Sequence, residues 1–211
     1  MSVPGQPEPK PVAEIELLDG TRARIFRLTP ESYERVGDAL TRIHNEIPFQ
    51  NWTPEEVYAE EIEGRKFLAK WELSHFAVID DDPVALNLAY ERPAAVAPYD
   101  EDCVYMHRFA VHPGYRRRWL GRLFHAHALD VAFSRRPRFL RSVTPRAFGQ
   151  TQATSENSHV LRFYLEGCGF KPVGFMYYAE KVDVVIALSR EDFYASPHWR
   201  YLTKRRRVIP N

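Results

Sequence analysis

Residues 109–122 read FAVHPGYRRRWLGR, and the interpretation of the whole chain starts from this stretch. Its first residues end a strand-like run, Pro113 and Gly114 supply a turn, and apolar residues at helical spacing follow from Trp119. The first turn of a helix presents unpaired backbone N–H groups and the positive end of the helix dipole, and arginines crowd this one. The stretch predicts an anion-binding site, although a solvated basic helix start would read the same way.

Composition narrows the class of protein. The chain has 211 residues, is 45% hydrophobic and 27% charged, and carries a net charge of +1, which favours one compact unit with a sizeable core. Its apolar runs are too short to span a bilayer, and its N-terminal residues lack the apolar core of a secretory signal. Two cysteines, Cys103 and Cys168, make neither a disulfide framework nor a metal site by themselves. We expect a cytoplasmic location, no membrane contact and no metal.

Charge is distributed unevenly along the chain. Residues 1–100 contain 10 Lys or Arg against 19 Asp or Glu, whereas residues 101–211 contain 19 against 9. A basic half suggests an anionic ligand, either a phosphorylated cofactor or a nucleic acid, but two oppositely charged halves could also simply attract each other within one fold.

The order of predicted elements gives the fold class. Because residues 1–12 contain four prolines, we expect them to form an extended or disordered arm. We expect residues 13–190 to form one domain and residues 191–211 to be an aromatic and basic extension. Helices are expected from Pro30, from Pro54 to about Trp71, and over residues 119–133 and 157–166. Strands are expected over residues 13–18, 22–28, 75–79, 84–90, 104–111, 139–143, 174–178 and 182–188. This order predicts an α/β fold with a mainly antiparallel sheet, and no glycine-rich dinucleotide or P-loop motif occurs.

Two motifs resemble the GNAT superfamily of N-acetyltransferases. The family's pyrophosphate motif, V-x-P-x-[YF]-[RQ]-x-x-G-x-[GA], is matched by Val111, Pro113, Tyr115, Arg116 and Gly121, and its first glycine is replaced here by Trp119. A second motif is matched by Asn157, Val160, Phe163, Tyr164 and Gly169-Phe170, with one residue more than usual before Gly169. The resemblance covers roughly residues 22–190. It implies a sheet of six to eight strands with a splay between strands 4 and 5, flanked by about four helices.

The resemblance also implies acetyl-CoA, or a related acyl-CoA, as the cofactor. The main chain of the strand would pair with the pantetheine arm in the splay, and the backbone amides and arginines of the loop would hold the phosphates. The cofactor-binding residues implied in this way are Phe109, Ala110, Val111, Arg116, Arg117, Arg118, Trp119, Leu120, Gly121, Arg122, Asn157 and Phe163.

The implied reaction is direct transfer of an acetyl group to a primary amine. The amide of Val111 would polarise the thioester carbonyl, and Tyr164 occupies the place of the family's general acid. Tyr164 could equally be a core aromatic, and the extra residue before Gly169 makes Leu165 a candidate for the same place. His107 is the candidate base, because histidine titrates near neutrality, but a strand histidine satisfied by its neighbours is the alternative. A period of two places Tyr105, His107 and Phe109 on one face of the strand.

Two other functions remain open at this point. The substitution at Trp119 and the extra residue before Gly169 favour an acyl-CoA-binding module without transfer activity. The basic half and residues 204–207 favour a nucleic-acid-associated protein, which ranks last because basic and base-stacking aromatic residues do not alternate on a strand. The expected partner is a small-molecule or peptide amine, with the acceptor site near residues 43–52, and a homodimer through the C-terminal extension is a further expectation.

Overall fold

The computed structural model describes residues 9–46, 53–59, 61–62, 65–94, 99, 101–134, 146–154 and 158–210. Its strands are β1 (Ala13–Glu16), β2 (Arg22–Arg27), β3 (Glu61–Ile62), β4 (Arg65–Lys66), β5 (His75–Ile79), β6 (Asp82–Arg92), β7 (Cys103–Val111), β8 (Arg146–Gln152), β9 (Lys171–Tyr177), β10 (Val182–Leu188) and β11 (Arg206–Val208). Its α-helices are α1 (Pro30–Asn45), α2 (Pro54–Tyr58), α3 (Lys70–Leu73), α4 (Leu120–Ser134), α5 (Ser158–Arg162), α6 (Arg190–Ala195) and α7 (Pro197–Arg205).

One nine-stranded sheet organises these elements, in the order β11-β1-β2-β5-β6-β7-β8-β10-β9. Its neighbouring strands are antiparallel except for β7 and β8, which are parallel. The predicted mixed, mainly antiparallel fold is therefore confirmed. The sheet exceeds the expected six to eight strands because the C-terminal extension adds β11 beside β1.

Local sequence explains how several elements start and turn. Thr29 caps α1, since its hydroxyl accepts from the Ser32 amide at 3.1 Å and Ser32 Oγ accepts from the Thr29 amide at 2.8 Å. The β5–β6 hairpin turns at Asp80 and Asp81, which both have positive φ, as a two-residue type I′ turn requires.

Helices cover both faces of the sheet. The face that carries Phe26, Phe76 and Leu88 packs against Leu40 and Ile43 of α1. The opposite face packs against α4, whose Leu120, Leu123, Phe124 and Leu129 are at most 1% exposed. The cofactor loop predicted from the sequence directly precedes α4, so it lies on this face of the sheet at the N-terminal end of the helix.

Two segments differ from the sequence-based expectation. The single helix predicted from Pro54 to about Trp71 is replaced by α2, the separate β3–β4 hairpin and α3. Residues 59–66 include Gly64 and few apolar side chains, so a helix there would have little surface to bury. The strand predicted over residues 139–143 lies outside the described residues, and the described strand that follows α4 is β8.

The C-terminal extension packs against its own domain. A guanidinium nitrogen of Arg205 donates to the Leu17 carbonyl at 3.0 Å, and Arg206 forms an ion pair with Asp130 of α4 at 2.7 Å. The Arg206 and Asp130 side chains are only 10% and 14% exposed. Two of the four basic residues at 204–207 are therefore engaged within the fold, which weakens the argument for a nucleic-acid-binding tail. Among the described residues, no helix is long and apolar enough to cross a membrane.

Candidate active site

The predicted anion loop joins β7 to α4. Pro113–Tyr115 forms a 3-10 turn, and His112 caps it by accepting from the Gly114 amide at 3.2 Å. The first backbone hydrogen bond of α4 runs from the Leu123 amide to the Trp119 carbonyl at 3.0 Å, so the amides of Leu120, Gly121 and Arg122 precede the first amide that donates within the helix. The loop therefore presents consecutive backbone donors together with the positive end of a 15-residue helix.

The arginines of this loop have different surroundings. Arg116 is exposed, and its Nε donates to the Val111 carbonyl at 3.0 Å. Arg117 is exposed and has a positive φ of 63°. The Arg122 guanidinium lies 5.3 Å from the centre of the Trp119 ring. An incoming polyanion would therefore meet Arg116 and Arg117 at the loop surface.

Arg118 is held by the turn between β1 and β2. Its Nε donates to an Asp19 carboxylate oxygen at 2.6 Å, and its second guanidinium nitrogen donates to Thr21 Oγ1 at 2.7 Å. Hydrogen bonds from Thr21 and Arg118 lower the pKa of Asp19 to about 2. The structure thus gives Arg118 a tethering contact in addition to its predicted place in the cofactor site. Sequence reasoning missed Asp19 and Thr21, since nothing local links them to a loop 97 residues away.

Gly121 has room for a β-carbon. A Cβ placed there would lie 3.6 Å from Val111, 3.8 Å from Phe163 and 3.9 Å from Phe109, which are ordinary contact distances. The loop instead has two left-handed positions, Arg117 with φ 63° and Trp119 with φ 69°. The residue that replaces the family's glycine is thus one of two whose backbone conformation favours glycine.

A gap between β7 and β8 provides the predicted splay. The two strands pair only at Cys103, Val104 and Tyr105 of β7 and then separate. His112 N donates to the Val84 carbonyl at 2.8 Å, and strand amides alternate in direction, so the Phe109 and Val111 amides point away from β6 and into the gap. Within the described part of the chain, β8 provides no pairing partner for them. An extended chain could therefore pair with β7 there.

A β-bulge at His107 changes which faces of β7 the side chains occupy. Leu88 of β6 is opposite Arg108 and Ala89 is opposite Met106, which leaves His107 as the extra residue. The predicted grouping of Tyr105, His107 and Phe109 on one face is therefore wrong for Phe109, whereas Tyr105 and His107 still contact each other with ring centres 5.9 Å apart. Tyr105 belongs to a cluster with Tyr90, whereas Phe109 packs beneath α4.

His107 lies in aromatic surroundings. Its ring centre is 5.2 Å from that of Phe67 and 5.4 Å from that of Tyr90, and its Nδ1 has no hydrogen-bond partner among the described residues. Burial, followed by the charges of Arg108 and Lys70, holds the pKa of His107 well below its usual value. The imidazole is therefore neutral at physiological pH.

Tyr164 lies in a π-helical turn at Phe163–Gly167 that continues α5. A π-turn accommodates one more residue than an α-helical turn, which explains the extra residue before Gly169. The Tyr164 ring lies 5.3 Å from Phe163 and 5.7 Å from Phe170, measured between ring centres. Burial raises the pKa of the Tyr164 hydroxyl above its usual range, so it remains protonated at neutral pH.

An aromatic cluster joins Tyr164 to the splay. Phe163 stacks on Phe109 with ring centres 5.8 Å apart, and His125 of α4 contacts Phe109 at 4.8 Å and Tyr164 at 5.6 Å. His125 is fully buried, and neither ring nitrogen has a hydrogen-bond partner among the described residues. His125 lies four residues after Gly121 and is therefore on the same face of α4.

The remaining candidate residues lie in the core or outside the described residues. Ala110 is buried on the α1 side of the sheet, and Leu165 packs at the edge of the α4 core. Asn157 lies outside the described residues. Cys103 and Cys168 are free and buried, and the described residues contain no group of His, Cys, Asp and Glu arranged for a metal ion.

Comparison with known proteins adds an independent finding. A sequence model of the acetyltransferase (GNAT) family matches residues 37–170. No curated protein matches the chain significantly.

Several solved structures share the fold. The NatC complex bound to Gag peptide and CoA matches with a TM-score of 0.59 and 19% identity, over 79% of this chain and 98% of that one. The GNAT domain of S. lividans PAT matches with a TM-score of 0.57 and 19% identity, over 83% and 96%. Arabidopsis thaliana Naa50 in complex with the bisubstrate analogue CoA-Ac-MVNAL matches with a TM-score of 0.53 and 17% identity, over 79% and 98%.

Proposed function

Because the chain belongs to the GNAT acetyltransferase family, a family of acyl-transfer enzymes, we propose that it transfers an acetyl group from acetyl-CoA to a primary amine. The observation that carries the proposal is the continuity of the anion loop with the splay between β7 and β8. A diphosphate at the start of α4 and an extended arm along Phe109 and Val111 would place a thioester near Tyr164.

The residues fit an acyl-CoA chemically. The arm of this cofactor carries amides, which would pair with the Phe109 amide and with the Phe109 and Val111 carbonyls as a strand would. Its phosphates would be met by the amides of Leu120 and Gly121 and by the exposed Arg116 and Arg117. Arg116 would exchange its hydrogen bond to the Val111 carbonyl for a phosphate oxygen.

In the proposed reaction, the amine nitrogen attacks the thioester carbonyl carbon, a C–N bond forms, and the C–S bond breaks. The Val111 amide donates to the carbonyl oxygen as negative charge develops on it. The Tyr164 hydroxyl protonates the departing thiolate, and His107 takes a proton from the amine, directly or through water.

The proposed acceptor is a primary amine of a small molecule or of a peptide. Two structural neighbours were solved with a peptide or a peptide-containing analogue, which justifies including free peptide N-termini among the amines tested. A cytoplasmic location and a homodimer complete the proposal. The packing of α6, α7 and β11 on their own domain limits any dimer contact to the outer surface of this extension.

The test is acetyl-CoA turnover with a panel of amines, followed through release of free thiol. Tyr164→Phe keeps the aromatic packing and removes only the hydroxyl, so turnover should fall by about 10²-fold or more while the Kd for acetyl-CoA stays within about twofold. Tyr177→Phe makes the same change at a tyrosine that is 76% exposed on β9 and should behave like the unmodified protein. Normal turnover by Tyr164→Phe would refute its role as the acid.

His107→Gln tests the proposed base. Loss of a neutral imidazole should reduce turnover and remove the acidic limb of the pH profile, which the lowered pKa of His107 places below its ordinary value of 6.5. An unchanged acidic limb would assign the limb to another group.

A binding module without transfer activity is the second candidate. It is favoured by Trp119, a large side chain at the position of a family glycine. The same panel separates the two functions: acetyl-CoA binding in calorimetry without thiol release from any amine would support the module.

A further inference from the structure

The backbone of Trp119 adopts a conformation that its residue type disfavours. Its φ of 69° is left-handed, and a side chain other than glycine places Cβ close to the following carbonyl there. Trp119 also supplies the carbonyl that accepts the first backbone hydrogen bond of α4, from Leu123. The backbone direction at Trp119 therefore helps to set where the first amides of the helix point.

The Trp119 side chain is held from outside the loop. Tyr201 of α7 meets the indole edge to face, with ring centres 5.1 Å apart and an interplanar angle of 79°. The Arg122 guanidinium lies 5.3 Å from the centre of the Trp119 ring. The indole is thus fixed between a cation of its own helix and an aromatic ring of the C-terminal extension.

The helix that carries Tyr201 is itself firmly anchored. Ser196 caps α7 by accepting from the Trp199 amide at 3.3 Å, and Leu202 is fully buried. At its end, Arg205 donates to the Leu17 carbonyl and Arg206 forms its ion pair with Asp130. Tyr201 is therefore a fixed contact for the loop.

We propose that Tyr201 is a positioning residue of the cofactor loop, which acts through Trp119 to keep the loop backbone in its cofactor-binding conformation. A glycine would adopt this positive φ through its own conformational freedom, whereas at Trp119 the contact with Tyr201 stabilises the same backbone conformation by tertiary packing. The inference rests on the proposed function, because the ligand of the loop is acetyl-CoA there. It adds that the C-terminal extension is part of the cofactor-binding apparatus.

The test is a double-mutant cycle on acetyl-CoA affinity, measured by calorimetric titration, with KM and kcat in parallel. Tyr201→Ala should weaken binding about tenfold, which is about 1.4 kcal/mol, and should raise the KM for acetyl-CoA similarly while kcat stays within about twofold. Tyr201→Phe keeps the ring and should restore the affinity. Tyr177→Ala removes an exposed tyrosine elsewhere and controls for loss of an aromatic side chain.

The Trp119→Gly background gives the decisive comparison. Glycine adopts the left-handed conformation without a side-chain contact, so the Kd of Trp119→Gly for acetyl-CoA is the reference value for this background. In that background Tyr201→Ala should change the Kd by less than about twofold. Thermal unfolding and circular dichroism of each variant show whether it is folded.

The outcomes separate the two proposals. Unchanged affinity in Tyr201→Ala, or an equal loss with and without Trp119→Gly, would overturn the positioning role while acetyl-CoA binding by the unmodified protein still supports the proposed function. Failure of the unmodified protein to bind acetyl-CoA would overturn the proposed function, and the positioning role with it.

Discussion

Acidification should destabilise this protein strongly at a pH that leaves most carboxylates ionised. Burial lowers the pKa of His44 and of His75 to about 4 and that of His125 to about 3, from an ordinary value of 6.5. Smaller contributions come from the charge of Arg108 at His44 and of Arg27 at His75. These histidines therefore become protonated below about pH 6.5 in the unfolded chain, but only below about pH 4 in the folded chain. Stability is lost as pH falls through this window.

The size of the effect follows from those values. At pH 5.5 each of these three histidines should cost about 1.4 kcal/mol of unfolding free energy relative to pH 7.5, about 4 kcal/mol together. His107 and His127, whose pKa values burial holds well below 6.5, act in the same direction. Typical domains have an unfolding free energy of about 5–15 kcal/mol, so this loss should be readily measured by urea unfolding curves at the two pH values.

A variant isolates one contribution. His125→Phe removes a titrating group that lies wholly among aromatic rings, so the difference in unfolding free energy between pH 7.5 and 5.5 should shrink by about 1.4 kcal/mol, whatever its baseline stability. If the unmodified protein loses less than about 1 kcal/mol over this range, the assignment of neutral buried histidines is wrong.

Three further predictions concern the loop and the extension. Arg116→Ala should weaken acetyl-CoA binding at least about fivefold in calorimetry, whereas Arg35→Ala, an exposed arginine of α1, should not change it. Gly121→Ala should not lower the unfolding temperature, because its Cβ would make only ordinary contacts. Gly121→Asp should weaken acetyl-CoA binding, because its negative charge would repel the phosphates. Arg206→Met should cost about 3–5 kcal/mol in chemical unfolding by leaving Asp130 without its buried cation, and adding Asp130→Leu should recover most of the loss.

Local sequence was sufficient to predict most elements and the loop. The cap at Thr29, the turn at Asp80 and Asp81 and the proline after Val111 act within a few residues, so their consequences can be deduced without the rest of the chain. The family resemblance extended this to the mixed sheet and to the place of the loop at the start of a helix. The resemblance also made Tyr164 the candidate acid, although the π-turn that accommodates the extra residue became visible only in the structure.

What the tertiary structure decided depends on contacts between distant residues. The bulge at His107 arises from the register with β6, which a period of two along one strand does not reveal. Asp19 contacts Arg118, which lies 99 residues away in sequence, and Tyr201 of the C-terminal extension contacts Trp119. No local sequence pattern predicts either contact. Sequence patterning was therefore sufficient to predict which segment would bind an anion, because helix starts and turns are short-range features. Which side chains hold that segment in place was decided by packing, because the free energy of those contacts exists only once the β1–β2 turn and the C-terminal extension pack against the loop.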